Sequence, residues 1–328
     1  MADDVKNTFS LAFPRALGEP AWSAGFRREF EDFRVDEELG FEPSGEGEHF
    51  LVRIRKTNQN TRWLAGWLAQ ACGVDESAVG YCGLKDRRAI TSQWFSIQLP
   101  GTAAPSLPAS PGIEVLARTR HHRKLRPGMH RGNGFVIRLR DLECDRDALA
   151  ARLEMVAGEG VPNYFGEQRF GIGGGNLVEA AAIVARRSPR FRGRRGGLYL
   201  SAARSWLFNQ VLAARVSDGT WNRPLAGEES GHPRGPLWGR GRNPAPGAVA
   251  ELEAAVLSSW QSWCEALEHS GLSQERRDLI LVPGDFRWQW QGRDLELAFS
   301  LPPGTYATAV LRELARLKAP EPALAVEP

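Results

Sequence analysis

The 328-residue sequence has few cysteines, no long apolar run and no large excess of charge of either sign. Its four cysteines, Cys72, Cys82, Cys144 and Cys264, are scattered, and none forms a CxxC pair. Such usage fits a reducing compartment and argues against a disulfide framework. Six histidines include one adjacent pair, His121 and His122, but no Cys/His cluster has the spacing of zinc ligands. No metal site is therefore expected. The N-terminal stretch MADDVKNTFSLAF lacks the apolar core of a signal peptide, and no apolar run is long enough to span a bilayer. A soluble, cytoplasmic protein with no membrane partner is the expectation. With 42 basic and 39 acidic residues the formal net charge is +3 and the pI about 8.8. That excess is too small to imply a polyanionic partner; only local clustering of charge can do so. No Walker motif occurs. The glycines of Phe170–Asn176 miss the GxGxxG spacing because Asn176 takes the last position, so a tight turn is expected there rather than a nucleotide site.

The chain is long enough for two domains, or for one large domain carrying an insertion. His49 to Arg55 alternates, with Phe50, Val52 and Ile54 on one face and Leu51, Arg53 and Arg55 on the other, which predicts a half-buried strand. Asn60 then offers an N-cap, Trp63, Leu64, Trp67, Leu68 and Ala71 recur at helical spacing, and Gly73 offers a stop. Strand character returns at Trp94–Leu99, Gly134–Arg140 and Leu295–Phe299, with helices over Asp145–Val156 and around Ala309–Leu314. The composition changes near Gly158 and changes back near Ile280, which suggests an inserted lobe. The tail from Ala319 is proline-rich.

Three segments carry unusual charge. In Gly83–Gln93 the carboxylate of Asp86 lies among Lys85, Arg87 and Arg88, just before an apolar strand. Neighbouring cations hold a carboxylate ionised and in place, as a nucleophile requires; a solvated turn with its charges paired to one another is the plainer alternative. Arg118–Arg131 gathers nine basic or histidine side chains and leads into Gly132-Asn133-Gly134-Phe135. Cations for phosphates, an amide for a base edge and a ring for stacking would suit RNA. The alternative is a solvated basic loop with Phe135 opening a core strand. Arg186–Arg195 is denser still, and a polyanion such as nucleic acid is the natural partner for charge of one sign at that density.

Taken together, these segments resemble the tRNA pseudouridine synthase D (TruD) family. The resemblance rests on Phe30-Glu31-Asp32-Phe33-Arg34-Val35, the run from Gly40 to His49, Gly83-Leu84-Lys85-Asp86-Arg87, and Arg131-Gly132-Asn133-Gly134-Phe135. It continues through the run from Val161 to Gly171 (VPNYFGEQRFG), Leu200–Ser205 and Leu301-Pro302-Pro303-Gly304-Thr305-Tyr306-Ala307-Thr308. The segments fall in the family's order over most of the chain. The resemblance implies an α+β fold: a pseudouridine synthase catalytic domain, a mixed and mainly antiparallel sheet flanked by helices, over residues 1–158 and 281–328. An inserted α/β TRUD domain would occupy residues 159–280.

It also implies an isomerase that converts uridine at position 13, in the D-arm of tRNA and notably of glutamate tRNA, to pseudouridine. Asp86 matches the catalytic aspartate. Phe33 and Asn133 match substrate-contacting positions, Phe135 the aromatic that stacks on the target base, and Arg27 a basic residue able to pair with the aspartate. Lys85, beside the aspartate, joins the substrate-binding set. Tyr306 stands where phenylalanine is common, and its hydroxyl needs a partner. The partner is tRNA, the protein a monomer, and no cofactor is called for, because nothing is oxidised or hydrolysed. Asp86 would act on C1′ or by way of proton loss at C2′. A tRNA-binding protein without chemistry, and a carboxylate hydrolase using a second acid or a metal, are the rival readings.

Overall fold

The computed structural model describes residues 9–101, 105–186, 190–191, 193, 195–228 and 232–318. Residues 187–189, 192 and 194 of the arginine-rich run lie outside the described residues, as do residues 1–8 and the tail 319–328. The chain divides into two compact units. A sheet unit takes residues 21–145, 283–304 and 315–328, and a largely helical unit takes residues 1–20, 146–282 and 305–314.

The sheet unit opens with β1 (Ser23–Phe26), β2 (Phe33–Glu38), β3 (His49–Thr57), α1 (Thr61–Cys72), β4 (Val79–Tyr81), β5 (Ile90–Gln98), β6 (Ile113–His121) and β7 (Gly132–Arg140). The helical unit follows with α2 (Arg146–Glu159), β8 (Val161–Pro162), α3 (Gly175–Val184), α4 (Gly196–Ser217) and β9 (Arg234–Leu237). It continues through α5 (Gly247–Val256), α6 (Gln261–Glu268), β10 (Glu275–Asp278) and β11 (Ile280–Leu281). The chain then supplies β12 (Gly284–Gln291) and β13 (Asp294–Leu301) to the sheet, α7 (Ala307–Leu314) to the helical unit, and β14 (Arg316–Lys318) to the sheet.

Among the described residues ten strands form one sheet in the order β12-β13-β7-β2-β5-β3-β6, with β4 on β5 and β1 between β7 and β14. The β2–β5 and β1–β14 pairings are parallel and the others antiparallel, so the sheet is mixed and mainly antiparallel. Its strands follow the two-residue period. In β2, Phe33, Val35 and Glu37 are buried and Arg34, Asp36 and Glu38 exposed; in β13, Leu295, Leu297, Phe299 and Leu301 are buried.

β3 differs from its expected half-burial. Leu51 is as fully buried as Phe50, Val52 and Ile54. Leu51 pairs with Ser96 of β5, and the loop after β6 folds back over that side of the sheet, where the Leu125 amide donates to Ser96 Oγ at 2.9 Å. Part of the basic run is thus a structural cover, not a solvated loop.

α1 has the caps its sequence offers. The Asn60 side chain accepts from the Arg62 amide, and Gly73 closes the helix in the left-handed conformation at φ 65°. Leu64 and Leu68 are fully buried against β3 and β5, whereas Trp63, at the margin of that stripe, is 47% exposed. In the helical unit, α3, α4 and α6 pack around Phe170, Leu177, Trp206, Phe208, Leu212 and Leu267. α2 packs with α7 and ties itself there through Arg152, which donates to the Glu313 carbonyl at 2.8 Å. The glycine-rich stretch is a turn, with Gly171, Gly173 and Gly174 at φ 79°, 58° and 77°. Asn176 closes it, its amide donating to the Phe170 carbonyl and its side chain to that of Arg169. No helix among the described residues is long and apolar enough to cross a membrane.

Candidate active site

Opposed residues on paired strands share a face of the sheet, and the register places much of the expected site on one face. Phe33, Val35 and Glu37 of β2 lie opposite Ile137, Phe135 and Asn133 of β7, which in turn face Leu297, Phe299 and Leu301 of β13. On the other side Val35 meets Thr91 of β5, and Thr91 meets Lys56 of β3. One face therefore carries Lys56, Glu37, Asn133, Phe135 and Phe33. The Asp86 loop, between β4 and β5, is tied to the same elements.

The ties are specific. The Lys85 amide donates to Thr61 Oγ1 at 3.0 Å, the Gln93 side chain to the Gly83 carbonyl at 3.1 Å, and buried Lys56 to the carbonyls of Asp86 at 2.9 Å and Gln59 at 2.7 Å. Held this way, the loop presents the Asp86 carboxylate half exposed, 3.1 Å from Nη2 of Arg27. The Arg27 guanidinium lies 3.8 Å from the centre of the Phe33 ring and 5.0 Å from that of Phe26. Buried Phe33 thus serves as the platform for Asp86's cation. Arg27 itself adopts φ 55°, a left-handed conformation that costs a side-chain-bearing residue about 1–2 kcal/mol. Such strain persists where the surrounding structure demands it, here where the chain leaves β1 and the side chain reaches Asp86.

Two of the cations near Asp86 in sequence, Lys85 and Arg88, point elsewhere. Lys85 Nζ forms a 2.6 Å ion pair with Glu37, and both side chains are nearly or fully buried. The other Glu37 oxygen accepts from the Trp94 amide at 3.1 Å. Arg88 donates to the carbonyl of Arg28. The carboxylate's partner is the distant Arg27, and not the local cluster suggested by composition.

Asn133 lies across from Glu37, and its amide nitrogen is 3.3 Å from His130 Nε2, while its side-chain oxygen is buried without a partner. Burial, with help from Lys85 and against Glu37, holds the His130 imidazole below its ordinary range. Phe135, part exposed, stacks on Phe299 at 5.5 Å and meets Phe33 edge-on at 6.0 Å. Tyr306 belongs to the helical unit, where its hydroxyl accepts from Arg169 at 2.8 Å and its ring meets Phe165 edge-on at 6.1 Å.

Sequence reasoning passed over Lys56 and Glu37, and took His130 only as one member of the basic run. Lys56 and Glu37 each carried a signal: both occupy the buried phase of an alternating strand, two residues beyond Ile54 and Val35 respectively. A charged residue in that phase must meet a partner inside.

Burial pushes Lys56 down to about 8, with Asp86 opposing and Lys85 assisting. Its folded-state value lies below the ordinary 10.5, so between pH 8 and 10.5 the unfolded chain holds more protons and stability rises with pH. Below about pH 8 the full cost is present. The wild type should gain on the order of 2 kcal/mol relative to Lys56→Met between pH 7.5 and 9.5. Urea unfolding of both proteins at the two pH values measures it. A constant difference would mean that Lys56 is not titrating inside the fold.

Comparison with known proteins follows the same lines. A sequence model of tRNA pseudouridine synthase D (TruD) matches residues 16–190 and 226–314. The chain is 51% identical over 323 residues to the tRNA pseudouridine synthase D of Cellvibrio japonicus, covering 95% of each chain. It is 47% identical over 325 residues to that of Aeromonas hydrophila, covering 90% of this chain and 92% of the other. A crystal structure from Methanosarcina mazei, of a protein assigned to tRNA pseudouridine synthase D, shares the fold with a TM-score of 0.68 at 22% identity, over 95% of this chain and 97% of that one. On the family match and these identities, the chain belongs to the tRNA pseudouridine synthase D (TruD) family.

Proposed function

We propose that this chain converts uridine 13, in the D-arm of tRNA and notably of glutamate tRNA, to pseudouridine, with Asp86 as nucleophile. Its family makes it a tRNA pseudouridine synthase, an isomerase. The observation that carries the finer reading is the Asp86 carboxylate, fixed by Arg27 through its side chain and by Lys56 through its backbone, on a unit whose sheet face presents Asn133 and Phe135.

The reaction breaks the N1–C1′ bond, turns the uracil and joins C5 to C1′, releasing the C5 proton and returning one to N1. Atoms balance without oxidant, reductant or water. Asp86 acts at the ribose, and Arg27 holds the carboxylate at the angle of approach. The base must first leave its stack, at a cost of a few kcal/mol. Phe135 offsets that cost by stacking, and the unpartnered Asn133 oxygen accepts from the uracil N3–H. Phe33 acts through Arg27, Lys85 holds the loop from behind through Glu37, and Tyr306 belongs to the substrate-binding set.

The sheet unit is the catalytic domain in this reading. The departure of the chain from it at residue 145 and its return at 283 support the lobe between, placed at residues 159–280 from sequence, as the inserted TRUD domain. The enzyme works as a cytoplasmic monomer without a cofactor.

Incubation with unmodified tRNA transcripts, followed by carbodiimide treatment and primer extension, tests the substrate. A stop is expected at position 13, and none in a transcript carrying cytidine there. Stops elsewhere only, or none with folded protein, would defeat the proposal.

A further inference from the structure

The helical unit gathers two arginines around one ring. Arg277, on β10, lies 4.2 Å above the Phe165 ring, and its Nη2 donates to the Asn163 side-chain oxygen at 2.6 Å. Arg169 lies 5.5 Å from the centre of the same ring. Its Nη1 donates to Ser201 Oγ at 3.0 Å and its Nη2 to Tyr306 Oη at 2.8 Å. Arg169 Nε is buried without a partner, and no carboxylate pairs with this guanidinium among the described residues.

Hydrogen-bond bookkeeping shows what is missing. A guanidinium can only donate. Both hydroxyls therefore accept from Arg169, and each keeps its own O–H proton to give away. Neither hydroxyl donates a hydrogen bond among the described residues. Arg169, Ser201, Tyr306 and Arg277 all reach solvent in part. Burial lowers Arg277 to about 10, with Tyr306 opposing and the charge of Arg169 adding to the effect. Two guanidiniums crowd each other here, and two hydroxyl protons are left over. An oxyanion would satisfy both conditions at once.

We propose that Arg169, Arg277, Ser201 and Tyr306 form a binding site for a backbone phosphodiester of the RNA substrate. The inference deepens the reading of this chain as a tRNA-modifying enzyme and rests on it. The guanidiniums supply charge and the hydroxyls supply direction. The site also gives the tyrosine at position 306 a use that phenylalanine could not serve. Tyr306→Phe keeps the ring against Phe165 and deletes one donor.

Affinity for an unmodified tRNA transcript is measured against salt concentration, with Asp86→Asn as the parent so that no turnover intervenes. Tyr306→Phe is expected to weaken binding about tenfold, since a hydrogen bond to a charged group is lost. Arg169→Gln is expected to weaken it further and to flatten the dependence of log affinity on log salt by about 0.7–0.9. Tyr306→Phe provides the test even if Arg169→Gln does not fold, and melting temperatures of both are taken alongside. Inorganic phosphate, tested by its effect on the melting temperature, distinguishes a small-anion site from an RNA contact. Unchanged affinity and salt slope in a folded variant would overturn the proposal. So would stabilisation by phosphate that these substitutions abolish while leaving RNA binding untouched. Failure of the wild type to form pseudouridine on any transcript would instead defeat the proposed function, and that is read in a separate assay.

Discussion

Replacing Asp86 with asparagine is expected to stop pseudouridine formation, lowering the single-turnover rate by roughly 10⁴-fold or more. Asparagine matches aspartate in shape, so the loop and its ties to Thr61, Gln93 and Lys56 should persist. What disappears is the negative oxygen. The amide cannot attack the ribose or take a proton from it, and no other carboxylate is paired to Arg27 among the described residues. The fold should hardly notice. The Arg27–Asp86 pair is half exposed on the aspartate side, and exposed pairs contribute about 0–1 kcal/mol. Affinity for tRNA should stay within a few fold of the wild type. Loss of turnover with stability and binding retained separates a chemical role from a structural one, and single-turnover kinetics with a melting curve measure it.

The second large effect is on stability. Lys85→Met should cost about 3–5 kcal/mol because it strands Glu37, a fully buried carboxylate, without its cation. Glu37→Gln should cost a similar amount by stranding the ammonium, although the amide oxygen can still accept from Trp94. The double variant leaves no charge to strand, so its cost should fall well short of the sum. Denaturant unfolding of the three variants gives the coupling directly. Costs below about 1 kcal/mol that simply add would mean that the pair is not sealed from water. Because Lys85 immediately precedes Asp86, loosening the pair should also slow the reaction in a way that the stability loss parallels.

Much of the sheet unit was legible because local signals agreed with tertiary demand. The caps at Asn60 and Gly73 bracket a helix with a continuous apolar stripe, and the alternation of β13 leaves only one choice of inward face. Asp86 stood out by composition, but its partner did not. Three cations adjoin it in sequence, yet Lys85 is drawn inward by Glu37, and the carboxylate meets Arg27, 59 residues away. A charge cluster in sequence says which charges are near, not which way each side chain turns. Lys56 and Glu37 were missed because a polar residue in a strand is read as facing water unless its phase is followed to the end.

The helical unit was harder to read. α4 follows the arginine-rich run without a side-chain cap and begins at two glycines, so nothing local marks its start. β10 is Glu-Arg-Arg-Asp, four charges in a row that read as a loop. It becomes a strand because it pairs with β9, and because its arginines find partners inside the unit, Arg276 on Glu253 at 2.7 Å and Arg277 on Asn163. Those partners lie 23 and 114 residues away in sequence.

Joining C5 to C1′ must free the hydrogen at C5, so release of tritium from a tRNA transcript made with 5-tritiated uridine counts the event itself. The account predicts release of one equivalent per tRNA by the wild type and none by Asp86→Asn under the same conditions. Release by Asp86→Asn at a comparable rate, with its fold intact, would contradict it.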